Sequence, residues 1–126
     1  MRSFVIATII ICILITIWYS FFSFLEDNIE LYTTLLNELI SEVKAENWEI
    51  AINHHKELEN VFFEHQKLYM FFLNHNDIDK VLVTLEKSKQ FIENKNKSFS
   101  LSELVTLKLH FAHILEKHSL TIVNIM

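Results

Sequence analysis

The sequence predicts an all-α protein, in which an N-terminal transmembrane helix continues into an antiparallel up-and-down bundle of four helices, counting the stalk of the anchor. Three observations predict this fold. Residues 3–25 are uncharged, the apolar residues after them follow helical spacing, and the chain contains neither glycine nor proline. Because type II and primed turns draw on glycine, its absence favours helices joined by short polar turns.

The uncharged run is long enough to cross a membrane. At about 1.5 Å per residue, a helix over residues 3–25 spans roughly 34 Å, against about 30 Å for the hydrocarbon core of a bilayer. Trp18 and Tyr19 near its end are of the type found at the headgroup boundary. We therefore predict a transmembrane signal-anchor over residues 1–25, in contact with the lipid bilayer of the cell membrane through residues 3–25.

Charge sets the expected orientation of this single-pass anchor. Arg2 precedes the run, and the next basic residue is Lys44, beyond Glu26, Asp27 and Glu30. Since lysine and arginine favour the cytoplasmic side, the N-terminus is predicted to be cytoplasmic and residues 26–126 to form an extracytoplasmic helical bundle domain. With two residues ahead of the span, we expect no output domain on the cytoplasmic side.

The main alternative for this run is a cleaved secretory signal. The run exceeds the usual apolar region of such a signal, and no A-x-A-like site follows it, Ser20 and Ser23 being the nearest small residues. A lipoprotein would need a cysteine at the end of the run, whereas Cys12 lies in its middle. A retained anchor is favoured, and whether it is ever cleaved is left open.

Composition excludes some classes of partner. Residues 26–126 contain ten lysines and no arginine against 16 acidic residues, a formal charge of −6. Without a basic patch, that domain is not expected to bind nucleic acid or anionic lipid. The single cysteine lies in the apolar run, so no intrachain disulfide is expected.

The first bundle helix is predicted to be the continuation of the anchor. Five apolar residues recur there in steps of three and four: Ile29, Tyr32, Leu36, Leu39 and Val43. The same stripe could pair between two chains as a coiled coil, so a homodimer is possible, but packing within one bundle is favoured because the repeat is short. Ala45, Glu46 and Asn47 are the predicted break, with Asn47 as the next N-cap.

The second helix is predicted over residues 48–73, with an inward stripe of six large residues: Trp48, Ile52, Leu58, Phe62, Tyr69 and Phe72. A turn at residues 74–76 follows. Asn76 is predicted to cap the third helix, with Asp79 near the positive end of the helix dipole. The core face of that helix should contain Ile78, Val81, Leu82, Leu85 and Ile92.

The fourth helix is predicted after a loop at residues 94–98. Ser100 and Glu103 fit a capping box at its start. Four residues form its apolar stripe, Leu104, Leu107, Phe111 and Ile114, and three more, Val105, Leu109 and Ala112, are expected to widen it, which would make this the most buried helix. Residues 119–126 are apolar without a clear pattern and could extend the helix or fold back over the core.

Seven histidines raise the question of a metal site. His110 and His113 share a helix face, and Glu116 extends the row, but an exposed polar stripe opposite the core also explains them. One such pair is short of a three- or four-ligand site, and no glutamate is followed three residues later by histidine, as a di-iron bundle requires. We predict no metal ligand and no cofactor.

Catalytic patterns are equally weak. His54 and His55 are spaced to pair with Glu57 and Glu59, but such pairs also stabilise exposed helices without a function. His55 and His65 are predicted at the boundary of the core. Asp77 and Asp79 at a helix start fit capping better than acid–base chemistry. We predict no catalytic residue and no enzymatic activity.

Short motifs in the C-terminal half resemble a clostridial family described as domain of unknown function 4363. They comprise residues 75–79 (HNDID), 107–108 (LK), 113–114 (HI), 116–117 (EK) and 124–126 (NIM). The family pattern has a membrane span, an Asp-His-x-x-Ile-Asp turn into a helix, a His-Ile pair and a terminal Asn-Ile-Leu; this chain differs from it at Asn74 and Met126. The resemblance implies an anchored helical protein from an anaerobic Gram-positive bacterium and carries no site residues.

Together these observations predict a non-enzymatic membrane-anchored protein whose outer bundle binds another protein, itself at the membrane. The alternative is a small extracytoplasmic sensor, with a ligand pocket between the second and fourth helices lined by Phe62, Phe63, Phe71 and Phe111.

Overall fold

The computed structural model describes the backbone of residues 1–125 and the side chains of residues 1–117. This part of the chain folds into five helices without a strand: α1 (Arg2–Lys44), α2 (Trp48–Glu64), α3 (Gln66–Phe72), α4 (His75–Glu93) and α5 (Lys97–Ile125). The all-α fold is confirmed. The predicted single helix over residues 48–73 is wrong, because the chain breaks at His65 and forms α2 and α3 instead.

The long helices form an antiparallel ring. α1 packs against α2 and α5, and α4 packs against the same two helices. Cross-contacts show the directions: Phe21 near the start of the packed part of α1 stacks on Phe72 at the end of α3, whereas Tyr32 further along α1 lies beside Phe62 of α2. The short connections thus give the predicted up-and-down bundle.

α1 is continuous from the apolar run into the bundle. Its 43 residues extend over about 65 Å at the usual helical rise. The side chains of residues 2–17 are exposed, whereas every residue of the predicted stripe is buried. The buried face also includes Phe21 and Leu25, so the packing of the bundle begins inside the uncharged run.

Aromatic side chains fill the centre of the bundle. The hydroxyl groups of Tyr32 and Tyr69 lie 2.6 Å apart and hydrogen-bond to each other. The rings of Phe62 and Phe111 lie within 6.0 Å of one another, and Phe111 is 5.0 Å from the ring of Tyr32. This cluster joins α1, α2, α3 and α5, and burial raises the pKa of both tyrosines, that of Tyr69 to about 12.

Two tight turns reverse the chain without glycine. Glu46 and Lys95 have φ of 59° and 58°, the left-handed region. After α1, the N–H of Glu46 donates to Val43 O and that of Asn47 to Glu42 O, the pattern of a Schellman motif. The break at residues 45–47 is confirmed, but the side chain of Asn47 donates to Glu42 and does not cap α2.

Two predicted helix starts are wrong. Asn74, not Asn76, caps α4, because Asn74 Oδ1 accepts from the Asn76 N–H at 2.8 Å. α5 begins at Lys97, where Asn96 Oδ1 accepts from the Phe99 N–H at 3.1 Å. Ser100 therefore lies within the first turn of the helix and is buried, so the predicted capping box does not form.

Parts of two predicted core faces are also wrong. Ile52 is exposed, and Ala51 and His55 are buried in α2 instead. In α5 the predicted stripe of residues 104, 107, 111 and 114 is buried, whereas Val105, Leu109 and Ala112 are exposed. Because α5 has neighbours on one side, it buries one stripe and is not enclosed. The α5 backbone remains helical through residues 119–125, and their side chains lie outside the described residues.

Candidate functional site

The most distinctive polar cluster lies between α2 and α4. His55 is 2% exposed, and its Nε2 atom lies 2.8 Å from Ser88 Oγ. Its Nδ1 atom lies 3.1 Å from Glu59 Oε1, one helical turn further along α2. A carboxylate next to Nδ1 favours the tautomer with its hydrogen on Nδ1, which lets Nε2 accept a hydrogen bond from Ser88.

Burial dominates the electrostatics of this cluster. Loss of hydration lowers the pKa of His55 to about 4, because the protein interior disfavours the imidazolium. Burial also raises the pKa of Glu59, although Lys89 of α4 opposes this effect. Both groups therefore favour their neutral forms more than they would in water. The predicted boundary position of His55 is wrong, whereas His65 is half-buried as predicted.

The order of carboxylate, imidazole and hydroxyl is that of a serine nucleophile triad. However, Ser88 is fully buried, and its hydroxyl also lies 2.9 Å from the Leu85 carbonyl oxygen, which competes with His55 Nε2 for the single hydroxyl hydrogen. A substrate cannot reach this oxygen in the folded protein. The arrangement instead gives hydrogen-bond partners to the buried imidazole and the buried hydroxyl, and it ties α2 to α4.

The histidine pair of α5 lies beside α4. His110 is half-buried and near Lys80 and Asp77, and burial together with the charge of Lys80 lowers its pKa. Lys117 Nζ lies 3.4 Å from Asp77 Oδ2. The predicted position of this polar row opposite the core is therefore wrong for His110, although His113 is exposed. No group of three or more metal-ligating side chains occurs among the described residues.

A cavity of about 300 Å³ opens between α2 and α4 next to His55. Charged side chains of both helices surround it, among them Lys56, Glu59, Lys89 and Glu93. The predicted pocket of four phenylalanines is wrong: Phe62 and Phe111 are packed in the core, whereas Phe63 and Phe71 point outward and are exposed.

The outer side of α5 carries an exposed apolar stripe formed by Val105, Leu109 and Ala112, with Leu109 64% exposed. We call these three residues the α5 stripe. Ala112 also borders a groove of about 620 Å³ between α1 and α5. The other residues of this α1–α5 groove are apolar or small, except for three carboxylates: Glu26, Glu30 and Glu116.

α1 is the helix, among those described, that is long and apolar enough to cross a membrane. An 18-residue window of it has a mean hydropathy of 2.5 and is 6% buried within the protein. A signal sequence at the N-terminus meets the same criterion by length and composition. The exposed apolar part of α1 is therefore a candidate for contact with lipid.

Ser88 belongs to the buried cluster but is not among the residues predicted from sequence patterns. The spacing of Val81, Leu85, Ser88 and Ile92 places the serine on the core face of α4, and this was the available signal. A buried serine needs a partner, and the antiparallel neighbour supplies it in His55.

Comparison with known proteins identifies the family of the chain. Neither the curated proteins nor the solved structures include a match to it. The sequence profile described as "Domain of unknown function (DUF4363)" matches residues 19–125, which covers the whole of the packed bundle from Phe21 onwards. The chain belongs to this family of proteins of unknown function.

Proposed function

We propose that this protein is a non-enzymatic, membrane-anchored interaction protein, whose helical bundle lies outside the membrane and binds another membrane protein. The observation that carries the proposal is the α5 stripe. Its residues stand at i, i+4 and i+7 on one side of α5, the spacing by which a helix face docks into a partner. Isolated exposed apolar residues are common, but a row of them next to a groove is typical of an interface.

The α1–α5 groove supports a membrane protein as the partner. It begins at Phe22 and Glu26, directly after the exposed part of α1, and would lie close to the membrane surface. Its three carboxylates favour a partner helix with lysine or arginine beside its apolar residues. A second copy of this chain is less suited to the groove, because residues 26–126 are net negative.

Photo-crosslinking in the membranes of the native cell tests this proposal. A benzophenone amino acid at Ala112 should form one discrete product with another membrane protein, whereas the same group at Val83 of α4, 54% exposed, should not. Glu116→Lys should reduce the product several-fold, and Glu57→Lys, an exposed glutamate of α2 away from the groove, should not. Equal products at both positions, or recovery of the protein alone, would contradict the proposal.

The proposed orientation has the N-terminus in the cytoplasm, supported by Arg2 ahead of the span and by Glu26, Asp27 and Glu30 after it. A cysteine at Ser98, in a Cys12→Ser background, should react in intact cells with a membrane-impermeant maleimide. Protection of this cysteine until the cells are lysed would reverse the orientation. A clostridial source stays a prediction from the resemblance.

A second candidate function is ligand sensing, favoured by the cavity next to His55. Its mixed lysines and glutamates suit a small ligand with both charges, such as an amino acid. A ligand of this class should raise the melting temperature of the intact protein, and Lys89→Ala should abolish the rise while Lys87→Ala, on the same helix outside this cavity, should not. No shift with the amino acids tested would exclude them as ligands.

A further inference from the structure

We infer that the end of the bundle at the α3–α4 turn rests in the headgroup layer of the membrane, with the exposed face of α3 inserted between lipids. This inference rests on the proposed membrane anchoring. Three residues of α3 define the face, which we call the α3 apolar face: Leu68, Met70 and Phe71. Phe71 is the most exposed of them, at 82%.

The contacts of α1 place this face at the level where the helix leaves the bundle. The rings of Phe21 and Phe72 are stacked, with centroids 4.3 Å apart. Phe71 directly precedes Phe72 in the chain; its ring lies 5.0 Å from that of Phe72 and is exposed to solvent. Along the axis of α1, Phe71 therefore lies within about one helical turn of the level of Tyr19, an exposed aromatic residue of the kind enriched at membrane interfaces.

The length of the exposed apolar part of α1 places the adjoining end of the bundle at the membrane surface. Phe21 and Leu25 are buried in the bundle and unavailable to lipid, so the part of the uncharged segment without a buried residue ends at Ser20. Residues 3–20 extend over about 27 Å, slightly less than the roughly 30 Å of the hydrocarbon core. A helix that spans this core therefore draws the end of the bundle into the headgroup layer.

The distribution of charge fits the same depth. Glu26, the first charged residue after the span, lies about 8 Å beyond Phe21 along α1, close to the outer limit of a headgroup layer of about 5–8 Å. On α3, the exposed Lys67 lies one turn from Phe71. The long side chain of Lys67 can reach a lipid phosphate while the phenyl ring of Phe71 points toward the hydrocarbon core of the bilayer. The occupant of the α3 apolar face is thus the bilayer to which the chain is anchored.

Spin-label accessibility in phosphatidylcholine nanodiscs tests this inference on the full chain. In a Cys12→Ser background, a nitroxide at His75 reports the depth of the α3–α4 turn while Phe71 stays in place. Labels at Ile11 and Ser98 give the references for lipid and water. The ratio of collisions with oxygen to collisions with a water-soluble nickel chelate should be several-fold higher at His75 than at Ser98.

A matched pair of substitutions identifies the group responsible. Phe71→Ser should lower the ratio at His75 several-fold, whereas Phe99→Ser, at the opposite end of the bundle and 58% exposed in the native chain, should leave it unchanged. A ratio at His75 equal to that at Ser98, with Ile11 in lipid, overturns the inference and leaves the anchoring intact. A water-like ratio at Ile11 overturns both.

Discussion

At the scale of single residues, His55 lies in surroundings that favour an uncharged imidazole. Ser88 and Glu59 each contact one of its two ring nitrogens, and the ring is almost completely buried from water. Hydrogen bonds keep the neutral ring satisfied, whereas a charged ring would lose its hydration. The cluster therefore links the stability of the α2–α4 contact to pH.

The free energy of unfolding should fall as the pH falls from about 6.5 to about 4. The folded pKa of His55 is lowered to about 4, from 6.5 in an unfolded chain, so in this window the unfolded chain binds a proton that the folded chain does not. The neutral His55 contributes about 3 kcal/mol to the free energy of unfolding. This contribution is fully present above pH 6.5 and is lost as the pH falls to about 4. Chemical denaturation of the intact protein in detergent, followed by circular dichroism, measures it.

Two variants separate His55 from the other titrating groups. Glu59 acts in the opposite direction, since burial raises its pKa. His55→Gln should flatten the slope in this pH window, whereas His113→Gln, at an exposed histidine, should retain it. A slope that persists in His55→Gln would assign the titration to another group.

At the scale of elements, the turns after α1 and α4 use non-glycine residues where glycine is the usual choice. Glu46 and Lys95 occupy the left-handed position of their Schellman motifs, which costs about 1 kcal/mol or more for a residue with a Cβ atom. The hydrogen bonds of the turn offset this steric cost, because they satisfy carbonyl groups in the last turn of each helix.

Glu46→Gly and Lys95→Gly should each stabilise the fold, by about 0.5–1 kcal/mol, because glycine removes the steric cost at positive φ. Glu46→Ala serves as the matched control, since alanine retains the Cβ atom and should give little gain. Glu49→Gly, within α2, should destabilise. Thermal unfolding measures all four, and a loss of stability in both turn variants would contradict the assigned conformation.

The elements also show where sequence periodicity is informative. The core stripes of α1 and α4 follow steps of three and four, and the structure confirms them. α5 has apolar residues on two sides, and periodicity alone does not indicate which side packs against the bundle. α5 has α1 and α4 as its main neighbouring helices, so one side is buried and Leu109 on the other side is exposed. The break at His65 is not marked by proline or glycine. Phe62 before it and Tyr69 after it are both buried in the core, so the apolar pattern continues across the break.

At the scale of the whole molecule, α1 is both the exposed apolar arm and one wall of the bundle. The family match begins at residue 19, two residues before Phe21, the first buried residue of the bundle. The all-α bundle follows from composition and spacing. The residue at which the packing starts does not follow from composition and spacing, because Phe21 and Leu25 are as suitable for contact with lipid as for a protein core.

A fragment of residues 20–126 should therefore be more stable than one of residues 26–126. The longer fragment keeps Phe21 and Leu25, both buried, and loss of one such side chain costs about 2–5 kcal/mol in a protein core. A fragment that starts after Val43 should aggregate, since it lacks the whole α1 wall. Urea denaturation compares the first two, and equal free energies of unfolding would place the start of the bundle after Leu25.

The continuity of α1 from the membrane into the bundle is tested most directly by a distance between two spin labels on it. Cysteines at Thr8 and Ser41, both exposed, in a Cys12→Ser background would carry the labels in lipid nanodiscs. One straight helix separates these positions by about 50 Å, so double electron–electron resonance should give a single narrow distance near that value. A broad distribution at shorter distances would show a hinge between the apolar arm and the bundle and would contradict the account.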